Sequence, residues 1–261
     1  MSLAREVVVL CLMVLLLTGC HRGAPDSVID RAVSYLQSEY NPQIGLIRES
    51  PEVAPHTFWV ATDNVLAMHA LEAAGAHDLA ADLKAAIPRY SNSSHGLIEV
   101  LWGQPIAWPP HVEEQITVTQ ISNLVIRTES KLFGPVFLDW SEYADLALLG
   151  ALHAFNSGNR VEAQQIYRGA MQMWDGQGFA DKAYFAVEGH HLYTTYKLAL
   201  ALYVARIIGE TLDENVRQAL LAKQASSGGF TTLYDAQGVP QGDTNTETTS
   251  YAILALIALE R

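Results

Sequence analysis

The residues best suited to chemistry in this chain sit where polar stretches run into apolar ones. They are Trp59-Val60-Ala61-Thr62-Asp63-Asn64, Asp139-Trp140-Ser141-Glu142-Tyr143, His190-His191-Leu192-Tyr193-Thr194-Thr195-Tyr196 and Asp243-Thr244-Asn245-Thr246-Glu247. Carboxylates stand in three of the four, aromatic rings in three and side-chain amides in two. Aromatic faces stack on the apolar side of a pyranose, while carboxylates and amides bond its hydroxyls. Two carboxylates across a cavity can serve as general acid and as base or nucleophile in glycoside hydrolysis. Histidine and tyrosine beside them suit proton abstraction next to a uronate carboxyl, as in a lyase or epimerase. Asp63 and Glu247 are the candidate catalytic pair. Trp59, Asn64, Trp140, Tyr143, His191, Tyr196, Asp243 and Asn245 are the candidate substrate-binding set.

Each candidate has a structural competitor. Thr244-Asn245-Thr246-Glu247 fits a capping box with Thr244 as N-cap, and Asp139-Trp140-Ser141-Glu142 fits another. Carboxylates in a first helical turn are stabilised by unpaired amides and the helix dipole whatever the function. His190-His191 lacks the H-x-x-x-H or H-E-x-x-H spacing of a metal site, so no metal is expected. His69 and His153 fall inside apolar segments and read as buried, hydrogen-bonded histidines. There is no P-loop, no G-x-G-x-x-G turn and no G-x-S-x-G elbow, so no cofactor is expected.

Eight helical segments must position these residues. Asp26–Tyr40, His77–Pro88, Asn159–Trp174 and Asp213–Lys223 each carry one apolar stripe. Ala61–Ala74, Glu142–Phe155, Leu192–Ile208 and Thr244–Leu259 are apolar nearly all round and must be enclosed. A membrane span fails for Leu192–Ile208, which holds Lys197 and Arg206, and the other three are too short. The two kinds alternate, and glycine-led apolar phrases recur along the chain: Gly45-Leu46-Ile47, Gly96-Leu97-Ile98, Gly134-Pro135-Val136-Phe137-Leu138, Gly178-Phe179-Ala180 and Gly229-Phe230-Thr231.

This order, with the Trp59–Asn64 and Asp243–Thr249 motifs, resembles the (α/α) toroid proteins, especially the six-hairpin glycosidase-like superfamily. The resemblance covers residues 26–261 and implies an all-α fold in which enclosed helices start at one mouth facing a shared cavity. About four hairpins are present where the full toroid has six, so the ring would be open, reduced or closed by the insertion over residues 91–137. That insertion contains two alternating runs, Gln115–Ile121 and Leu124–Arg127, flanking Ser122-Asn123. It is expected to be a β-hairpin serving as a lid.

Residues 1–19 read as a secretory leader. Arg5 is its positive end, Val7–Leu17 its apolar run, and Leu17-Thr18-Gly19-Cys20 resembles the bacterial lipobox. Cys20 would carry lipid and residues 20–25 would be a short tether. The expected partners are then a membrane, reached through that lipid, and a glycan. The only other cysteine, Cys11, would be lost with the leader, which excludes thiol catalysis and zinc-thiolate sites. Forty-nine per cent of residues are hydrophobic and 17% charged, which excludes a disordered chain. A net charge of −12 without a basic run argues against nucleic acid. Three function classes remain: a membrane-anchored, extracytoplasmic carbohydrate-active protein; a non-catalytic lipoprotein that binds a ligand or scaffolds an envelope complex; or terpenoid or prenyl chemistry, which would need a dry, aromatic cavity with an acidic cluster at its mouth.

Overall fold

The computed structural model describes residues 27–91, 96–186 and 191–261. The residues expected to form the leader and tether, Cys20 among them, and His190 lie outside the described residues.

The four striped helices are α1 (Val28–Ser38), α3 (His77–Ala86), α5 (Arg160–Met171) and α8 (Glu214–Leu221). In α1 only Ala32, Tyr35 and Leu36 are buried, one stripe at i, i+3 and i+4. The enclosed helices are α2 (Leu66–Ala73), α4 (Ala144–Asn156), α7 (Thr195–Ile208) and α9 (Thr246–Glu260). In α9 every residue from Thr248 to Ile257 is buried. A π-helical stretch, Val60–Val65, leads into α2. The short α6 spans Lys182–Phe185. The enclosed helices pack in the order α2, α9, α7, α4; α3 covers α2, α1 covers α9, α8 covers α7 and α5 covers α4. Among the described residues no helix is long and apolar enough to cross a membrane.

The connections are where expectation and structure part. Three small sheets make the chain mixed α/β, about 52% helix and 18% strand, and overturn the all-α toroid expectation. β1 (Tyr40–Asn41) pairs antiparallel with β2 (Leu46–Ile47). β3 (Thr57–Trp59) runs parallel to β5 (Leu124–Val136), whose other side pairs antiparallel with β4 (His111–Ile121). β6 (Tyr193–Thr194), β7 (Thr231–Tyr234) and β8 (Pro240–Thr244) form the third sheet. More than half of the strand residues belong to the hairpin of β4 and β5 in the insertion, and the rest to short links between helices. Links enclosed between helices must pair their backbone groups, and the phrases at Gly45, Gly178 and Gly229 do so as bridges, whereas Gly96-Leu97-Ile98 lies in a 3-10 turn. Besides β1–β2, Trp174 bridges Phe179 and Gln224 bridges Phe230.

Three of the five phrases are also tied to the helix that follows. The Asn64 side chain accepts from Ile47 N at 2.7 Å and donates to Ile47 O at 3.0 Å. The Thr249 hydroxyl accepts from Phe230 N at 3.0 Å. Lys197 donates to Asp181, the residue after Gly178-Phe179-Ala180, at 2.5 Å. Three connections are thereby pinned to the π-helical stretch before α2 and to the first turns of α9 and α7. Close packing explains the glycines: a Cβ on Gly229 would lie 2.8 Å from Tyr35, and one on Gly228 would lie 2.3 Å from the Arg31 carbonyl oxygen.

Candidate functional site

The starts of α4, α7 and α9 meet. Tyr196, on the first turn of α7, donates its hydroxyl to Asp145 Oδ2 on the first turn of α4 at 2.5 Å. Its ring centroid lies 5.8 Å from that of Tyr251 on α9. Glu247 is close enough to both phenols to raise their pKa values. At the opposite end, Ala73, Ile207 and Ala258, the last turns of α2, α7 and α9, line one cleft of about 590 Å³ together with His69 and Trp102. The enclosed helices therefore run the same way.

Electrostatics at the starts centre on a buried ion pair. Lys197 and Asp181 are 3% and 2% exposed. Asp181 Oδ2 also accepts from Ala144 N at 2.8 Å, satisfying the first amide of α4, and Oδ1 accepts from Tyr184 N at 3.1 Å, capping α6. Asp145 Oδ1 lies 4.0 Å from Lys197 Nζ. Burial, then the charges of Asp145 and Glu247, push the Tyr196 hydroxyl well above its usual range; burial, then Glu247 and Asp145, do the same to Tyr251. Both phenols are therefore hydrogen-bond donors, not bases.

A column of rings stands beside this cluster. His191 stacks on Tyr184 at 4.9 Å, Tyr184 on Tyr193 at 4.4 Å, and Tyr193 leans on Tyr234 at 5.3 Å. His191 and Phe185 are exposed at its outer end. Asp181, Lys182 and Phe185 line a cleft of about 460 Å³ with Glu142, Gln172 and Met173. Asp181 thus touches both the cleft and the helix-start cluster.

The expected site residues divide by place. Tyr196 and Glu247 belong to the cluster. Tyr143 precedes α4, with Phe137 at 5.2 Å and the Lys182 ammonium 5.8 Å over its ring. Trp140 lies on the adjoining 3-10 turn, edge-on to Trp108 at 5.1 Å. His191 is the top of the ring column and donates from Nδ1 to the Tyr184 carbonyl at 3.0 Å.

The remaining candidates serve the scaffold. Asp63 is 2% exposed and presents no surface to a ligand. Asn64 is fully buried, and its amide also donates to the Trp59 carbonyl at 2.6 Å. Trp59 donates Nε1–H to Glu49 at 2.8 Å, and the Arg127 guanidinium covers one ring face at 4.9 Å. Asp243 accepts from the amides of Glu52 and Val53 at 2.9 and 3.2 Å, holding that loop. Asn245 is the N-cap of α9, accepting from Thr248 N at 2.9 Å. The cap therefore falls one residue later than the Thr244 box expects, which leaves Glu247 outside a capping-box role. The second box is absent too: Asp139 and Glu142 both hold Lys182. His69 and His153 are half-buried and stacked on Trp102 and Trp108 at 3.8 and 5.8 Å.

Asp145, Asp181, Lys197, Tyr184 and Tyr251 were not among the expected site residues. One signal was available: Lys197 is the lone cation in the first three turns of an apolar helix, and such a charge needs a counter-charge nearby. Among the described residues no group of His, Cys, Asp and Glu is arranged to hold a metal ion. Compared with known proteins, the chain matches no family model, no curated protein and no solved structure.

Proposed function

We propose that the chain is a carbohydrate-active protein held on the outer side of a membrane by lipid on Cys20, and that it handles a glycan where α4, α7 and α9 start. The observation that carries this reading is the Asp145–Tyr196 hydrogen bond at 2.5 Å within the field of Glu247. It sets two carboxylates around one phenol donor, the combination that holds sugar hydroxyls and can protonate or attack a glycosidic centre. The catalytic role expected of Asp63 passes to Asp145, since Asp63 is buried. Phe185 and His191 supply an exposed apolar rim on which a pyranose face can rest. Metal and cofactor play no part in this reading.

The test is binding and turnover of soluble polysaccharides and peptidoglycan fragments by the purified chain, its Glu247→Gln and Asp145→Asn variants, and Phe185→Ala. Turnover lost in the carboxylate variants while binding persists supports the enzyme. Binding that survives both changes with no turnover in any form favours the non-catalytic lipoprotein. No binding of any glycan sinks both glycan readings. Incorporation of an alkyne-tagged palmitate, lost in Cys20→Ser, tests the anchor separately.

A further inference from the structure

The outer strand of the insertion is built to pair with another strand. β4 is the edge of the β3–β5–β4 sheet, and residues 115–121 are all exposed. This stretch, Gln115-Ile116-Thr117-Val118-Thr119-Gln120-Ile121, carries no charge and no proline. Native edge strands are normally blunted by charge, proline, shortness or bulges; in β4 the two charges, Glu113 and Glu114, and both bulges fall before Ile116, and residues 116–121 carry none of these devices.

The backbone groups available to a partner follow from the hairpin turn. Ile121 pairs with Leu124 across the two-residue turn Ser122-Asn123, which makes them a hydrogen-bonded pair. Alternation then directs the amides and carbonyls of Thr119 and Thr117 towards β5 as well. Those of Gln120, Val118 and Ile116 point away from the sheet. The Val125 amide, opposite Gln120, donates to His56 on the β3 side at 2.8 Å, consistent with this phase.

The geometry points to a second copy of this chain as the partner, added antiparallel along β4 with the two-fold axis at Val118. On that axis Val118 faces Val118 of the other copy, Ile116 faces Gln120, and Thr117 faces Thr119. Each such contact occurs twice across the axis, as an isologous interface has it. All three outward-facing residues find outward-facing partners, giving two backbone hydrogen bonds for each of the three pairs. Moving the axis to Thr117 sets Gln120 against Glu114, and moving it to Thr119 sets Ile116 against the turn residue Ser122. Val118 and Ile116, 59% and 43% exposed, become covered. Charge also favours this strand: each copy carries −12, and this stretch lets two copies meet without opposing carboxylates. The contact stands independently of the glycan reading, because it uses the side of β4 facing away from β5 and β3.

The test is sedimentation equilibrium of the full chain in density-matched detergent, from about 1 to about 100 μM, the range in which a small interface of this kind associates. A doubled mass that rises with concentration and strengthens with salt is expected. Val118→Lys places like charges together on the axis, and Val118→Pro removes an outward amide without touching a β4–β5 bond. Each should return the mass to one chain. Amide hydrogen exchange of the unmodified chain gives a readout that needs no variant. Ile116, Val118 and Gln120 should become protected as concentration rises, while Thr117, Thr119 and Ile121 are protected throughout. A single-chain mass across the whole range, a dimer unmoved by both variants, or protection of Val118 that appears only with lipid vesicles or another protein would overturn the proposal.

Discussion

Asp181→Asn is the sharpest probe of the helix-start cluster, because it leaves the Lys197 ammonium buried without its counter-charge. Breaking a buried pair from one side costs about 3–5 kcal/mol. An independent ceiling comes from letting the lysine lose its proton at pH 7. That costs roughly 3.4 × 1.36, or about 4.6 kcal/mol, starting from an ordinary lysine pKa of about 10.4. The asparagine oxygen can also serve only one of the two amides that Asp181 now holds, Ala144 N or Tyr184 N, adding about 1 kcal/mol for a lost cap. Asp145, 4.0 Å from the ammonium, offsets part of this. The expected loss is thus about 3–5 kcal/mol, or roughly 6–20 °C in Tm for a body of this size. Lys197→Met should cost less, about 1–3 kcal/mol, since Asp181 keeps both amide donors and methionine fills the place of the lysine stem. The double variant should lose less than the two single losses added. A pH signature separates charge from packing. In Asp181→Asn the folded-state pKa of Lys197 falls below its unfolded value, so the unfolded chain binds more protons and stability rises as pH climbs from about 7 towards 10. Adding Lys197→Met must abolish that rise. Urea unfolding followed by circular dichroism at several pH values measures all of this. The reasoning fails if Asp181→Asn lies within about 1 kcal/mol of the unmodified chain, or if Lys197→Met is the costlier change.

Three further outcomes follow from buried groups elsewhere. Asn64→Leu strips three hydrogen bonds from the backbones of Ile47 and Trp59 and should cost about 2–4 kcal/mol in urea unfolding, with loosened amide exchange at Ile47. Gly228→Ala should destabilise by more than 1 kcal/mol, since φ is +93° and the new methyl meets the Arg31 carbonyl oxygen; a neutral result in thermal melts would place that loop elsewhere. Burial raises the hydroxyl pKa of Tyr35, Tyr167, Tyr193, Tyr196, Tyr234 and Tyr251 above that of the unfolded chain. The native state then holds protons that the unfolded state releases. Stability is fully present below about pH 10 and falls by up to about 1.4 kcal/mol per pH unit for each such tyrosine above it. Phenolate absorbance should appear together with unfolding, and smooth titration of these tyrosines in a folded chain would contradict their burial.

The helices were legible in the sequence because their signals are local. Thr248–Ile257 is apolar or hydroxyl-bearing on every side, and such a helix has to be enclosed. Alternation in Gln115–Ile121 likewise gave the hairpin and its Ser122-Asn123 turn. The other strand pairings were not legible. A phrase such as Leu46-Ile47 is two residues of strand, and its pairing with Tyr40–Asn41 depends on a neighbouring turn rather than on its own pattern. Among site residues, Tyr196 and Glu247 could be read from their place before an apolar run. Asp63 and Asn64 share that place, yet a π-helical turn buries them, and nothing in their composition announces that widening.

The buried ties explain why helix starts, rather than any other part of the chain, assemble the cluster. Lys197 and Thr249 lie on the first turns of α7 and α9 and Asn64 on the π-helical stretch leading into α2, and each grips the connection entering its helix. Such a grip fixes the rotation of the helix about its axis, because a side chain can reach the connection from one face only. On α7 the residue beside the grip is Tyr196, on the next face round; on α9 the grip at Thr249 lies two residues before Tyr251 and two after Glu247. Fixing the rotation therefore aims those neighbours at one another, across the spacing that lets Tyr196 reach Asp145 and meet the Tyr251 ring. If Asp181 and Lys197 hold this alignment, Lys197→Met should lengthen the Tyr196–Asp145 contact before it unfolds anything. The near-ultraviolet dichroism of the tyrosines should then change below the unfolding transition. A spectrum identical to that of the unmodified chain would mean that the cluster aligns without the tie.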